Sequence, residues 1–358
     1  MNKISMLFSV VIFSLSALVS CSKDSKEPDP VIPDPSTGDP VIYVAGIEAN
    51  SSGTYVAKYW KNGSAVSLTN GSHSSYANSI FVSGDDIYVS GKEFSGEHYA
   101  AKYWKNGTAV SLTDGANDAD AISIFISGND VYVAGYEMNK NNIYVAKYWK
   151  NGTAVSLTDG VLGGKAKSIV VSDGDIYVAG SQGKVGKYWK NGLANNLTDG
   201  KMQAMVTSIY KSGSDVYVAY YEIDPSSVIN NGGIAKYWKN GITTSLPDGI
   251  GNDLTWAAKS YPKSICVFGN DVYVAGKEGI IAKYWKNGTA VSLTVKDRDL
   301  TDAYSIYIRG KDVYVAGTAF SAKTSNCVAT YWKNGSAVFL TDATTKQAYA
   351  EATSIFVK

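Results

Sequence analysis

Few features of this sequence favour a charged partner or a helical fold. Its 33 Lys and Arg residues are matched by 32 Asp and Glu residues, which leaves a formal net charge of +1. This balance gives no broad attraction for nucleic acid or for an anionic lipid surface, so we expect no nucleic-acid partner and local recognition of any other partner. Only 8 Pro and 5 Met accompany 35 Gly and 26 Tyr, a composition that favours β-structure with tight turns.

Residues that usually build metal or catalytic sites are also scarce. The two histidines, His73 and His98, have no Cys or His neighbours at metal-binding spacing, so we expect no metal and no cofactor. Surface exposure is favoured for both over a role as ligand or base. Beyond Cys21 only Cys266 and Cys327 are present, in different segments. Two buried free thiols are favoured there over a disulfide, although export would permit one.

The N-terminal segment indicates export. Residues 1–20 combine Lys3 with an apolar run at 6–19, which is typical of a signal peptide and too short to span a membrane comfortably as a mature helix. The tetrapeptide Leu-Val-Ser-Cys at 18–21 follows directly. It resembles the lipobox of bacterial lipoproteins.

That resemblance implies that Cys21 is diacylated and becomes the mature N-terminus, with an ordinary signal peptide and an incidental cysteine as the alternative. Several acyl chains on one residue would anchor the protein without a transmembrane helix. Residues 21–40 are dominated by Ser, Lys, Asp, Glu and Pro, which predicts a disordered tether. We therefore expect a lipid-anchored protein of the bacterial cell envelope, on the outer membrane and facing either the periplasm or the exterior.

An internal repeat determines the predicted fold. The pentapeptide Tyr-Trp-Lys-Asn-Gly occurs seven times, with spacings of 40 to 49 residues, beginning at positions 59, 103, 148, 188, 237, 284 and 331. Each copy carries four short β-like runs, termed strands A to D, as at 123–126, 131–134, 145–149 and 154–157. Strands A and B are joined by a Ser-Gly-Asn-Asp type of turn and strands C and D by Asn-Gly, so each unit is an antiparallel meander.

The ends of the repeat predict a closed ring. The first run, at 41–46, is a strand B without a strand A, and the last, at 353–357, is a strand A without a strand B. A solenoid would require polar capping repeats, which this pattern lacks. Residues 41–358 therefore resemble the seven-bladed β-propeller superfamily with velcro closure, an all-β fold of four-stranded antiparallel blades, and we expect a monomeric propeller. They look most like uncharacterised propeller lipoproteins of Bacteroidetes, a likeness that implies an architecture and a location but no activity.

Residues repeated in the blades have structural interpretations. The repeat tryptophans and the strand B tyrosines are expected to fill the space between adjacent sheets. Serines before the strand A apolar run, as at Ser79 and Ser123, are expected near one mouth of the channel, with hydrogen bonds between neighbouring innermost strands. Glutamates after strand B and lysines before Tyr-Trp, such as Glu48 and Lys58, are predicted to be diagonal partners at a solvated edge.

Variable segments predict where a ligand would bind. The D to A and B to C loops differ between repeats and emerge on one face, where a rigid scaffold can carry a specific site. Trp256 and Tyr261 are the leading candidate contacts, and Tyr220, Tyr221 and His98 are secondary ones. A channel plug is an equally weighted interpretation of Trp256, the one tryptophan outside the repeat.

Three functions are compatible with these patterns. A non-enzymatic binding module for a glycan or protein is favoured over a scaffold subunit of an envelope complex. A carbohydrate-active hydrolase or lyase is third, because its carboxylates cannot be paired from sequence. A sialidase is disfavoured because only two arginines are present. The scattered acidic candidates are Asp224, Asp253, Asp299 and Glu351.

The lipobox generates the first prediction. Cys21→Ala should abolish incorporation of radiolabelled or alkyne-tagged palmitate, because the acceptor thiol is removed. Cys327→Ala, which leaves Cys21 in place, is the control and should label normally. Labelled lipid that still co-purifies with the Cys21→Ala variant would show that the anchor is assigned to the wrong residue.

Overall fold

A computed structural model describes residues 38–223, 233–246, 259–342 and 348–358 of the chain. Within these ranges the regular structure consists of β-strands. No helix among the described residues is long and apolar enough to cross a bilayer. In chain order the first strands are β1 Ile42–Ala49, β2 Tyr55–Lys61, β3 Ser64–Ser67, β4 Ser75–Ser83, β5 Asp86–Phe94, β6 Tyr99–Lys105, β7 Thr108–Ser111, β8 Ala119–Ser127, β9 Asp130–Met138, β10 Tyr144–Lys150, β11 Thr153–Ser156, β12 Gly164–Ser172, β13 Asp175–Gln182 and β14 Val185–Lys190.

The second half of the chain repeats the same succession of three longer strands and one short one. Its strands are β15 Leu193–Asn196, β16 Gln203–Ser212, β17 Asp215–Ile223, β18 Ile234–Lys239, β19 Ile242–Ser245, β20 Ser260–Phe268, β21 Asp271–Glu278, β22 Ile281–Lys286, β23 Thr289–Leu293, β24 Leu300–Arg309, β25 Asp312–Ser321, β26 Asn326–Lys333, β27 Ser336–Phe339 and β28 Ala350–Val357.

These strands form seven four-stranded antiparallel sheets. Blade 1 has the order β28-β1-β2-β3, and blades 2 to 7 each take four consecutive strands, from β4–β7 to β24–β27. The first strand of each order is strand A. The strand A members of neighbouring blades contact one another around the ring. The predicted seven-bladed β-propeller is therefore confirmed.

Closure joins the two ends of the propeller in blade 1. Strand β28 pairs with β1 from Ile42↔Val357 to Glu48↔Ala350. Backbone hydrogen bonds of 2.9 Å in both directions between Val41 and Lys358 extend this ladder. The innermost strand of the first blade thus comes from the C-terminal end, as the unmatched runs predicted.

Tryptophans from strand C fill the spaces between blades. Trp104 of blade 2 packs against Tyr43, Ala45 and Ala57 of blade 1. Six of the repeat tryptophans are at most 1% exposed, and their predicted packing role is confirmed. They are Trp60, Trp104, Trp149, Trp189, Trp285 and Trp332.

The repeated serines connect adjacent innermost strands, as predicted. The backbone N–H of Ile80 in blade 2 donates to Ser354 Oγ in blade 1 at 3.2 Å, and that of Ile265 in blade 6 donates to Ser208 Oγ in blade 5 at the same distance. The same contact recurs from Ile124, Ile169, Ile306 and Ile355. The expected location near a mouth was wrong, because the serines lie in the middle of strand A, directly after its bulge.

The predicted Glu–Lys partners are confirmed, but not at a solvated edge. Lys102 Nζ lies 2.7 Å from Glu93 Oε2, and Lys236 Nζ lies 2.7 Å from Glu222 Oε2. These side chains are only 11–21% exposed, and in blade 6 the Glu278 side chain is fully buried. They are largely covered by protein, because the pairs lie inside strands B and C.

One face of the propeller, here called the constant face, carries the A–B and C–D turns and repeats the same polar cluster. In blade 3, Asn151 adopts φ 49°, a left-handed conformation that Asn and Gly tolerate in a two-residue hairpin turn. Asn151 Oδ1 accepts from the Val131 N–H at 2.8 Å, and Asn151 Nδ2 donates to Asp130 at 2.8 Å. Lys150 completes the cluster at 2.9 Å from Asp130. The opposite face, with the D–A and B–C loops, is called the variable face.

Closure generates the second prediction. A chain lacking residues 353–358 should lose roughly 3 to 6 kcal/mol of unfolding free energy, because Ile355 and Val357 are 4% and 2% exposed in the core. For a domain of this size that loss lowers the thermal midpoint by about 10 °C or more, as differential scanning calorimetry would measure. The control Val338→Ala, at a 41% exposed side chain, should leave the midpoint nearly unchanged. An unchanged midpoint in the truncated chain would contradict the closure.

Candidate functional site

Two positions of the repeat carry different residues from blade to blade and surround the channel at the variable face. Each set of seven equivalent residues is called a column. The two positions are the strand A residue two positions before the bulge and the strand B residue paired with it, as in Tyr76↔Lys92 and Asp120↔Tyr136. We call these fourteen residues the mouth ring. Its strand A members are Tyr76, Asp120, Lys165, Met205, Tyr261, Asp302 and Glu351, and its strand B members are Ile47, Lys92, Tyr136, Ser181, Tyr221, Lys277 and Thr318.

Two ion pairs of the mouth ring cross blade boundaries. Lys92 of blade 2 lies 2.9 Å from Asp120 of blade 3, and Lys277 of blade 6 lies 2.7 Å from Asp302 of blade 7. Asp120 is 5% exposed and also accepts a hydrogen bond from Asn78 Nδ2 at 2.7 Å. Burial of this carboxylate is therefore compensated by a cation and an amide.

Aromatic members follow the same rule. The Lys165 ammonium of blade 4 lies 4.5 Å from the centre of the Tyr136 ring of blade 3. The Tyr221 ring of blade 5 meets the Tyr261 ring of blade 6 edge-on, with centres 5.1 Å apart. Together with the two ion pairs, these are four contacts that each join a strand B residue to the strand A residue of the next blade.

An arc of four tyrosines extends the mouth ring over blades 1 and 2. Tyr349 contacts Tyr55 with ring centres 5.5 Å apart, Tyr55 contacts Tyr76 at 5.5 Å, and Tyr76 contacts Tyr99 at 5.8 Å. Tyr349 is 37% exposed and the other three are partly buried. The Lys92 ammonium lies within 5.2 Å of both the Tyr76 and Tyr99 rings. The arc offers flat aromatic surface next to hydroxyl and ammonium groups.

A cavity of about 280 Å³ lies between blades 6, 7 and 1. Its polar lining includes Asp302, Tyr304 and Glu351, and exposed apolar residues such as Ile280 and Leu300 also line it. Burial, together with the Asp302 carboxylate, raises the pKa of Glu351, although the Tyr349 hydroxyl donates a hydrogen bond to its carboxylate. The cavity therefore combines carboxyl and phenol groups with an apolar rim, which is the composition of a small-ligand pocket.

Both described cysteines are free and buried. Cys327 lines the cavity, and burial raises the pKa of its thiol to about 11. Such a thiol is poorly nucleophilic at neutral pH. Cys266 lies in strand A of blade 6.

The structure brings two of the sequence-predicted site residues together. Tyr261 and Tyr221 form one contact in the mouth ring. His98 lies in a B–C loop of the variable face, 3.7 Å from Asp118. Trp256 lies outside the described residues, as do Asp224 and Asp253. Asp299 accepts a loop N–H bond from Ala322, and Glu351 lines the cavity.

Tyr220 has a packing role in the structure. It is 2% exposed and its hydroxyl lies 3.0 Å from Thr243 Oγ1, so its side chain does not reach the variable face. The other six blades have glycine here, because a Cβ would lie close to strand A, as at Gly135, where it would be 1.9 Å from the Asp120 carbonyl oxygen. In blade 5 a tyrosine stands at this position, and Trp238 is only partly buried.

Most of the mouth ring was not predicted, because its residues lie within strands and not in the loops that vary in length between repeats. The sequence feature that marks it is a position within strand A whose residue differs from repeat to repeat. The residue before it is small in every repeat and the residue after it is alanine in five of the seven, yet the column itself contains tyrosine, lysine, aspartate, glutamate and methionine. Aligning the repeats and reading the strand A positions that vary would have found it.

Comparisons with known proteins show the fold alone. No family model matches the sequence, and no curated protein matches it. A puromycin-hydrolysing peptidase of Mycobacterium tuberculosis is similar in structure, with a TM-score of 0.55 and 11% identity, over 85% of this chain and 52% of that one. The chain thus spans about half the length of that peptidase. The β-propeller domain of the trilobed protease of Pyrococcus furiosus, described as having an open velcro topology, gives a TM-score of 0.51 and 10% identity over 86% of this chain and 96% of that one.

The ion pairs of the mouth ring generate the third prediction. Asp120→Ala should lower the unfolding free energy by about 3 kcal/mol, because it leaves the Lys92 ammonium and the Asn78 amide without their acceptor in a largely buried site. Urea denaturation measures this loss. Asp85→Ala, at a fully exposed carboxylate, is the matched control and should change stability by less than about 0.5 kcal/mol. Equal effects of the two substitutions would contradict the role of Asp120 as a buried partner.

Proposed function

We propose that this protein is a lipid-anchored, non-enzymatic binding module of the bacterial envelope that holds a glycan at the variable face. The observation that carries the proposal is the tyrosine arc next to the mouth ring. Tyrosine provides rigid, amphipathic contact area at low entropic cost and suits the apolar faces and hydroxyls of sugars. The arc, the Tyr221–Tyr261 pair and the cavity lie on the variable face, where the repeat is interrupted.

The anchor at Cys21 and the outer-membrane location rest on the lipobox resemblance. A tethered module with a preformed site fits capture of a polymer at a cell surface, since a rigid scaffold loses little conformational entropy on binding. Trp256 stays in the proposed contact set on sequence grounds, together with Tyr261, Tyr221 and His98. Tyr220 is left out because it is buried. A scaffold subunit would use the same face for a discrete protein partner.

A carbohydrate-active hydrolase is the second candidate, and one observation favours it. Asp302 and Glu351 line the same cavity, and burial raises the pKa of Glu351. A carboxyl group with a raised pKa near a second carboxyl group is a common arrangement for a general acid and its partner. Release of reducing ends from a bound polysaccharide would favour this candidate over a pure binder. The likeness to peptidases rests on fold, so peptidase activity is not proposed.

The fourth prediction tests the aromatic site. Tyr76→Ala, Tyr261→Ala and Trp256→Ala should each weaken binding to a polysaccharide retained from envelope extract by about 2 kcal/mol or more, because each removes an aromatic contact. Affinity electrophoresis measures binding, and thermal melting reports folding. Phe268→Ala is the matched control, since this ring is 48% exposed at the constant face.

Unaffected binding in all three variants would move the site elsewhere on the molecule. A large drop in thermal midpoint for Trp256→Ala would indicate the channel-plug interpretation of that residue. Retention of one protein and no polysaccharide would favour the scaffold.

A further inference from the structure

The Asn-Gly turn between strands C and D recurs in all seven blades and is a chemically labile dipeptide. Asparagine before glycine loses its side-chain amide readily, because the glycine nitrogen attacks that amide with no Cβ in the way. The seven asparagines are Asn62, Asn106, Asn151, Asn191, Asn240, Asn287 and Asn334. All are exposed and adopt a left-handed conformation, with φ between 45° and 52°. Exposure and backbone conformation therefore do not distinguish one from another.

In blades 2 to 7 the amide of this asparagine is held at both of its polar atoms. In blade 2, the Ile87 N–H donates to Asn106 Oδ1 at 2.8 Å, and Asn106 Nδ2 donates to Asp86 at 2.7 Å. Lys105 lies 2.8 Å from the same carboxylate, and Lys105 and Asn106 lower the pKa of Asp86, which keeps it ionised at neutral pH. The bond from Nδ2 to the aspartate measures 2.6–2.8 Å in all six blades. Six of the seven amides thus donate to a charged acceptor, the stronger kind of hydrogen bond.

Blade 1 lacks the aspartate. The equivalent position is Val41, which exchanges backbone hydrogen bonds with Lys358 in the way that Asp86 pairs with strand A of blade 2. The Ile42 N–H still donates to Asn62 Oδ1 at 2.8 Å. Within the ranges that the structure describes, however, Asn62 Nδ2 has no hydrogen-bond acceptor. Asn62 is thus held through its oxygen alone.

This difference bears on loss of the amide, because the nitrogen that leaves is the one that the aspartate holds. In blade 1 the reaction joins the Gly63 backbone nitrogen to Asn62 Cγ and breaks the bond from Cγ to Nδ2. The side-chain nitrogen departs as ammonia and carries away the proton of the glycine N–H. Water then opens the cyclic imide at either carbonyl and leaves aspartate or isoaspartate. In the other six blades the same step must first break a hydrogen bond to an ionised carboxylate.

We infer that Asn62 is a site of spontaneous deamidation, and that it reacts faster than the other six turn asparagines because Val41 stands where their blades have aspartate. Water is the only co-reactant. Isoaspartate adds a methylene group to the backbone between β2 and β3, and β2 pairs with β1 along its length. The modification therefore falls in the blade where the two ends of the propeller meet. This inference is independent of the proposed function.

The test incubates the intact chain in mildly alkaline buffer made with heavy-oxygen water, and peptide mapping by mass spectrometry gives the deamidation rate at each turn. Asn62 should react about tenfold faster than each of the other six, the effect of one hydrogen bond to a charged group. Val41→Asp supplies the acceptor and should slow Asn62 to the rate of the others. Val41→Leu, which supplies none, is the matched control and should leave the rate unchanged. The Asn-Gly pairs at 70–71 and 231–232 lie outside these turns and are mapped separately.

A second variant tests the same cause in another blade. Asp130→Ala removes the acceptor of Asn151 and should raise the rate there about tenfold, while Asn106 in the neighbouring blade keeps its rate. Thermal melting shows whether each variant is folded, and if Val41→Asp is not, the rate at Asn151 decides alone. Equal rates at all seven turns of the parent protein overturn the inference. A fast Asn62 that Val41→Asp does not slow, or an unchanged Asn151 in Asp130→Ala, overturns it as well.

Discussion

A four-stranded sheet with two apolar faces cannot cover both of them alone, and the rest of this structure depends on that constraint. Each blade uses its neighbour as a cover, so a tryptophan from one blade fills the space against the strands of the blade before it, as Trp104 does against Tyr43 and Ala57. The arrangement is complete only when the last blade meets the first, which β28 achieves by pairing with β1. The same columns must therefore recur in every blade.

The constraint also limits how the variable face can change. Several mouth-ring residues contact the next blade, so a new charge at such a position needs a partner across the boundary, as Lys92 has in Asp120 and Lys277 has in Asp302. Variation at these positions is therefore restricted to compatible pairs.

The sequence predicted what repetition encodes and little of what single blades add. Residues that recur in every repeat predicted the number of blades, the closure, the tryptophan packing and the Glu–Lys pairs. A residue that recurs at the same position of every repeat must serve a need that all blades share. The mouth-ring contacts were not predicted, since each joins residues of different strands in different blades, such as Tyr136 and Lys165, and no local period marks them. The burial of Tyr220, a secondary candidate contact, was not predicted, because the sequence gives no local sign that the position is occupied by glycine in the other six blades. The serines were predicted too close to a mouth of the channel, because a repeated sequence pattern does not show where a strand contains a bulge.

The position of β1 between β28 and β2 in blade 1 has a mechanical consequence. The described chain reaches β1 at the constant face, where the Gly38 carbonyl lies 3.4 Å from Arg309 Nη2, whereas the arc and the cavity are at the other ends of the strands. A force applied between a ligand bound at the variable face and the segment before Gly38 would act along β1. Ladder hydrogen bonds are perpendicular to the strands, so β1 is loaded in shear against β28 on one side and β2 on the other, and the bonds resist together instead of opening one at a time. The first described strand is thus supported on both edges in the geometry that withstands force best.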